Sequence, residues 1–272
     1  METPVSPPKN PAIIWLKGTL APLIFGLGLL LFWQVAVTWY AVPHYVLPSP
    51  TRIAAAMAED WPTLFASLIS TLWVTFQALF FAITLGVGLA VIFTQWRWLE
   101  RSLLPYVIVL QVTPVVSLAP LIIIWVGDIN TSLLICAWLV AFFPILSNTM
   151  LGLQSADHNL IDLFEVYGAT RWQKLVILRL PFAMPYFLGG LKISGGLALI
   201  GAVVAEFVAG TGGVGSGLAF RILESGYQLR IPRMFAALIL ISVTGVLIYL
   251  GTTWVSWLAL RKWHESALKR DA

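Results

Sequence analysis

The chain has 272 residues, 59% of them hydrophobic and only 10% charged, with a formal net charge of +4. A soluble domain carries about 25% charged residues, so this chain lacks the polar surface to face water on all sides, and a water-soluble globular protein is excluded. One cysteine, Cys136 in an apolar run, excludes an intrachain disulfide framework and reads as an inert buried thiol.

A membrane-crossing helix needs roughly 20 mostly apolar residues, and six stretches qualify. The first runs from about Leu20 to Val42. It is too long for a cleaved signal peptide and lacks a small-x-small site, so it reads as a retained transmembrane helix. The second covers about Leu64 to Phe93, the third Leu103 to Val126, the fourth Thr131 to Leu153, the fifth Ala183 to Ala209 and the sixth Met234 to Leu260. Pro114 and Pro120 predict a kinked or broken third helix. The 13 Trp suit membrane interfaces. With the N-terminus placed in the cytoplasm, eleven Lys and Arg fall on inside segments and four outside, which predicts both termini cytoplasmic. The chain thus divides into a cytoplasmic tail (1–19), one transmembrane domain (20–260) and a second cytoplasmic tail (261–272). Orientation in the membrane explains the basic excess, and no nucleic-acid partner is expected.

Between the first two spans, Leu47-Pro48-Ser49-Pro50 is a punctuated turn leading toward a short amphipathic helix on the outer surface. The longest inside segment, about Gln154 to Phe182, is the only one with room for structure of its own. Leu160, Leu163, Phe164 and Tyr167 repeat at i, i+3, i+4, i+7 and predict a short helix. Asp157 or Asn159 can cap its start, and Gly168 can end it in a left-handed conformation. A second helical piece begins at the N-cap Thr170 and carries Trp172, Leu175, Val176 and Ile177, after which Leu180-Pro181 is expected to turn the chain into the fifth span. Three acidic and three basic residues make a lipid-surface role poor. Packing under the bundle and docking into a cytoplasmic partner both stay open on physical grounds.

The same loop resembles the signature of binding-protein-dependent ABC import permeases: Glu-Ala-Ala, three residues, Gly, nine residues, Ile-x-Leu-Pro. Gly168 is followed by nine residues and then Leu178-Arg179-Leu180-Pro181, and Gly168-Ala169-Thr170 is similar to the usual Gly-Ala-Ser/Thr. Asp162-Leu163-Phe164 stand where Glu-Ala-Ala is expected, so that part departs from the pattern. Pro114 through Gly127, the Leu47–Pro50 turn, and Ala205-Glu206-Phe207 with the Gly-rich segment 210–217 resemble the nitrate/taurine/sulfonate-type permeases, over about residues 20 to 260. The resemblance implies an all-α, six-helix type I importer permease (MetI-like) fold in the bacterial inner membrane. It implies that Asp162, Leu163, Phe164, Tyr167, Gly168, Ala169, Thr170, Leu180 and Pro181 form the segment that couples to an ABC ATPase. It also implies a second permease copy as a homodimer partner, a periplasmic or lipid-anchored solute-binding protein, and a small solute such as nitrate, a sulfonate, taurine, bicarbonate or a pyrimidine precursor.

No Gly-x-x-x-x-Gly-Lys-Ser/Thr phosphate loop is present, so ATP and Mg belong to the partner and the chain itself is expected to be non-catalytic and cofactor-free. Pro114, Pro120, Trp125 and Glu206 are candidate path or gate residues. For Trp125 an interfacial belt role competes with gating. Glu206 either caps or bridges loops at the outer interface, or lines the outer gate or contacts the binding protein. It lies 14 residues from Lys192, about 21 Å along one straight helix, too far for the two to pair. Gly195, Gly196, Ala198 and Gly201 predict close helix packing. His44, His158 and His264 are scattered and form no metal or nucleophile set. A secondary transporter or channel acting alone is the competing reading, although it would show polar midspan residues or inverted repeats. An intramembrane enzyme would need paired His, Asp or Ser inside spans.

Overall fold

A computed structural model describes the backbone of residues 11–210 and 215–261, and the side chains among these except 11–19 and 21–23. Residues 1–10 and 262–272 of the predicted tails (1–19 and 261–272), with His264, and the centre of the Gly-rich loop at 211–214 lie outside the described residues. Every regular element among them is helical: α1 Pro11–Trp39, α2 Pro50–Glu59, α3 Trp61–Gln95, α4 Arg97–Val112, α5 Val115–Val126, α6 Ile129–Gln154, α7 His158–Val166, α8 Arg171–Gln173, a π segment Lys174–Arg179, α9 Leu180–Ala209, α10 Leu218–Tyr227 and α11 Ile231–Leu260.

Four helices are long and apolar enough to cross a membrane by themselves: α3, α6, the continuous run Arg171–Ala209, and α11. They match the second, fourth, fifth and sixth predicted spans. The α4–α5 pair adds a fifth if it counts as one span, and α1 supplies the apolar stretch Ile24–Trp39 where the first was expected.

The third stretch is broken, by a bend of 101° between α4 and α5. Thr113 and Pro114 are both extended (ψ 123° and 118°). The ring of Pro114 disfavours a helical residue before it, so the chain leaves the helix at Thr113. Pro120, expected to contribute to the break, instead sits inside α5; a proline within a membrane helix is tolerated when neighbouring helices satisfy the freed carbonyl. Gly127 ends α5 in the left-handed region (φ 72°), and Asp128 at once caps α6 by accepting from Thr131 N at 2.8 Å and Oγ1 at 2.6 Å. Those bonds hold the Asp128 carboxyl below its usual range.

A second expectation fails at Pro181. The chain does not turn there: helix runs from Arg171 to Ala209, with Pro181 in the first turn of α9. The preceding π segment explains how. Its wider turns put the Leu180 N–H on Leu175 O, five residues back. Proline cannot donate in the ladder and its ring crowds the carbonyl four residues earlier, a conflict that a π turn relieves without ending the helix.

The core is the α6–α9 contact, with α3 and α11 against its sides. Its closeness depends on glycine. A Cβ on Gly152 would lie 2.7 Å from Ala183 Cα, one on Gly190 2.9 Å from Pro144 O, and one on Gly201 2.9 Å from Ala137 Cα. Gly195 faces α11 instead, where a Cβ would stand 3.0 Å from Ile248 Cγ2, and Gly196 borders open space. Small residues give a membrane bundle close backbone approach. Gly152→Val is therefore expected to lower the thermal midpoint of the protein in detergent, since overpacking costs about 1–3 kcal/mol, while Gly196→Ala leaves it unchanged or raised.

Candidate functional site

Two regions carry chemistry, at opposite ends of α6 and α9. At one end, the loop after α6 folds as two short helical pieces. Asp157 caps α7 by accepting from Asn159 N at 2.9 Å. Gly168 ends the turn at φ 67°, with Gly168 N donating to Glu165 O and Ala169 N to Phe164 O, both at 2.9 Å. That pair of bonds is a Schellman closure, and the left-handed residue it requires is most cheaply a glycine. Thr170 then starts α8 in a reciprocal capping box with Gln173. Lys174 Nζ reaches back to Glu165 Oε1 at 2.7 Å, tying the two pieces together and holding the Glu165 carboxyl below its usual range.

Within this loop Phe164 and Ala169 are half-buried, as are Leu180 and Pro181 at the base of α9, whereas Asp162, Leu163, Gly168 and Thr170 are exposed. Tyr167 is 82% exposed, Val166 84% and Trp172 66%. The predicted apolar stripe thus splits: Leu160 and Phe164 turn partly toward the bundle while Leu163 and Tyr167 turn away from it.

At the opposite end, Glu206 is buried at 4% exposure. Its Oε1 accepts from Thr71 Oγ1 of α3 at 2.8 Å and its Oε2 from the Ala219 N–H at 3.0 Å. Thr71 Oγ1 in turn accepts from Leu218 N at 2.9 Å. One carboxylate and one hydroxyl thus satisfy two of the orphan amides that begin α10, a cap supplied from other helices. Around them Arg221 donates to Ser67 Oγ (2.9 Å), Ser216 Oγ (3.1 Å) and Glu224 Oε2 (3.0 Å), Arg233 pairs with Asp60 at 3.2 Å, and Ser70 Oγ donates to Gly215 O. The polar stretch after the Gly-rich loop contains a helix that sequence reasoning missed. The signal lay in Ser67, Ser70 and Thr71, hydroxyls one turn apart on an otherwise apolar span.

Between the two ends, a groove of about 410 Å³ opens where α4 breaks from α5, walled by α6 and α9. Pro114, Gln111 and Thr113 line it opposite Val140, Pro144 and Gly201, and no charged side chain does. Of the four candidate path residues only Pro114 belongs to it. Pro120 is exposed on α5, Trp125 is 76% exposed at the end of α5, and Glu206 faces α3 and α10.

The sequence profile of the binding-protein-dependent transport system inner membrane component matches residues 82–259, from the middle of α3 to the end of α11. The chain belongs to that family. It is 37% identical over 226 residues to the riboflavin transport system permease protein RibX of Chloroflexus aurantiacus, covering 81% of this chain and 82% of that one. It is 33% identical over 229 residues to the formylaminopyrimidine transport permease protein ThiX of Halalkalibacterium halodurans (84% and 90%), and 29% identical over 245 residues to the taurine transport system permease protein TauC of Escherichia coli (86% and 84%). In fold it is similar to a chain of the MetNI methionine ABC transporter in an inward-facing conformation, with a TM-score of 0.61, 21% identity, and coverage of 73% of this chain and 96% of that one. It is thus a multi-pass plasma-membrane permease, a subunit of an ABC importer, in a family whose members work with ATPase and binding-protein components.

Proposed function

We propose that this permease crosses the membrane six times with both termini in the cytoplasm, pairs with a second copy of itself, and receives the ATPase stroke through α7 and α8. The observation that carries the reading is the outward apolar face of the α7–α8 turn, with Leu163, Val166, Tyr167 and Trp172 exposed on a loop whose backbone is fully closed by its own caps. Exposed aromatics on a rigid scaffold are the usual anchors of a protein interface, and the half-buried Leu180 and Pro181 stiffen its join to α9. ATP and Mg then belong to the partner, and the chain supplies only the path.

The groove at the α4–α5 break is the proposed path, closed by the same groove of the second copy. Its uncharged lining suits a small neutral or heteroaromatic solute, such as a pyrimidine precursor, better than a strongly hydrated anion, and the riboflavin and formylaminopyrimidine permeases stand among its relatives. Taurine, sulfonates, nitrate or bicarbonate are the second reading, favoured by the taurine relative. The deciding experiment purifies the chain with an ABC ATPase and a solute-binding protein from the same organism and reconstitutes them. ATP-dependent uptake is expected of the complex, and no ATP hydrolysis of the permease alone. Uptake that proceeds without the ATPase would establish the secondary-transporter or channel reading instead.

A further inference from the structure

At the end of the molecule that carries α7, an open cup of about 490 Å³ lies between the start of α4, the end of α6, α7 and the π segment. Arg97, Glu100 and Arg101 line it from one face of α4, at i, i+3 and i+4. Gln154, His158 and Arg179 face them from the other three elements. The charges do not balance. Glu100 accepts from Gln154 Nε2 at 3.3 Å, whereas Arg97, Arg101 and Arg179 make no hydrogen bond or ion pair with any described residue. The Arg179 Nε is buried without an acceptor. Its charge acts on Glu165, but that carboxylate is already held by Lys174 at 2.7 Å. Three guanidinium groups line one cup against a single carboxylate, Glu100, which pairs with none of them, and the withdrawn Arg179 N–H without an acceptor is costly.

The surroundings identify the missing group. Trp96 and Trp98, 46% and 65% exposed, flank Arg97; such residues sit at headgroup level. Along α4 away from the cup, Leu103, Tyr106 and Val109 are exposed apolar surface leading into the membrane. A headgroup-level basic site continuous with an apolar face fits a ligand with both a phosphate and acyl chains. The start of α4 has no side-chain cap, and its partial positive charge points the same way.

We propose that this cup binds the phosphate of an anionic membrane lipid, with Arg97, Arg101 and Arg179 as its donors. Arg179 lies between the α7–α8 loop and α9, so the lipid would brace the base of the helix that leads from the loop into the bundle.

The test titrates the full-length protein, in neutral detergent, with phosphatidylglycerol, phosphatidylcholine or inorganic phosphate. Native mass spectrometry reads the bound species and the thermal midpoint reads the effect. Phosphatidylglycerol is expected to bind at least tenfold tighter than phosphatidylcholine. Removing an arginine costs about fivefold at such a surface, so the exposed pair Arg97→Gln/Arg101→Gln should lose roughly 25-fold. Glu100→Gln, which deletes the opposing charge, should tighten binding, a direction that mere damage to the fold does not produce. Equal affinity for the two lipids, or unchanged phosphatidylglycerol affinity in the double variant, overturns the proposal. So does full stabilisation by inorganic phosphate alone, which assigns the cup to a free anion. Loss of the co-purifying ATPase from the double variant with lipid affinity intact would make the arginines a protein contact and also overturn it.

Discussion

Gly168→Val is expected to reduce ATP-driven uptake at least tenfold while leaving membrane insertion and the helical bundle intact. The reason is backbone and not space. A Cβ at this position meets nothing within 4 Å, so a valine side chain would fit. At φ 67°, however, a β-branched residue is strained by about 1–2 kcal/mol, and the Schellman closure from Gly168 N and Ala169 N onto Glu165 O and Phe164 O must give way. The loop then loses the angle at which Leu163, Val166 and Tyr167 leave the surface, while α6 and α9 still pack. Gly168→Asn, a residue that tolerates the left-handed region, should retain most of the activity. Pull-down of the ATPase, its stimulated hydrolysis and uptake in proteoliposomes measure the two variants side by side. A valine variant that binds its ATPase and transports normally would remove α7 and α8 from the coupling path.

This loop was also the most legible part of the site, because each of its turns depends on a local residue type. Gly168, Thr170 and Asp157 act within three residues of themselves, so spacing alone places them. The long spans were legible for a similar reason: α3, α6, α9 and α11 are apolar over more than a membrane thickness, and lipid demands that wherever they pack. What stayed hidden is nonlocal or a matter of degree. Pro114 and Pro120 carry the same chemistry, yet the chain leaves the helix only before Pro114, while the residue before Pro120 stays helical. Pro181 reads as a turn and is absorbed by a π segment that no periodicity announces. Gly195, Gly196 and Gly201 look alike in sequence but face α11, open space and α6 respectively. The partnership of Glu206 with Thr71 spans 135 residues, and nothing in either neighbourhood signals the other.

That partnership yields the second large effect. Gly217 begins α10 with φ −81° and ψ −177°, a conformation open to any residue, so its glycine is not required by the backbone. It is required by Glu206, whose carboxylate occupies the place a Cβ would take. Gly217→Ala is therefore expected to destabilise the protein, overpacking costing about 1–3 kcal/mol. Glu206→Ala should be costlier, because it strands the Thr71 hydroxyl and the Ala219 N–H at about 1–3 kcal/mol each. The two losses should not add. With the carboxylate gone the alanine at 217 has room, so the double variant should be no less stable than Glu206→Ala alone, a coupling that distant sites do not show. Thermal unfolding of the four proteins in one detergent measures this directly, and strict additivity would mean that the carboxylate does not sit against Gly217. Uptake separates the two roles open to Glu206. As a positioning group that holds α10 against α3, it makes transport fall in proportion to stability in all three variants. As a gate residue it makes Glu206→Ala lose far more transport than its loss of stability accounts for, while Gly217→Ala loses transport only in proportion to its stability. The groove lining favours the first outcome, since α9 presents Leu197, Ile200, Gly201 and Val204 to the groove and turns Glu206 away from it.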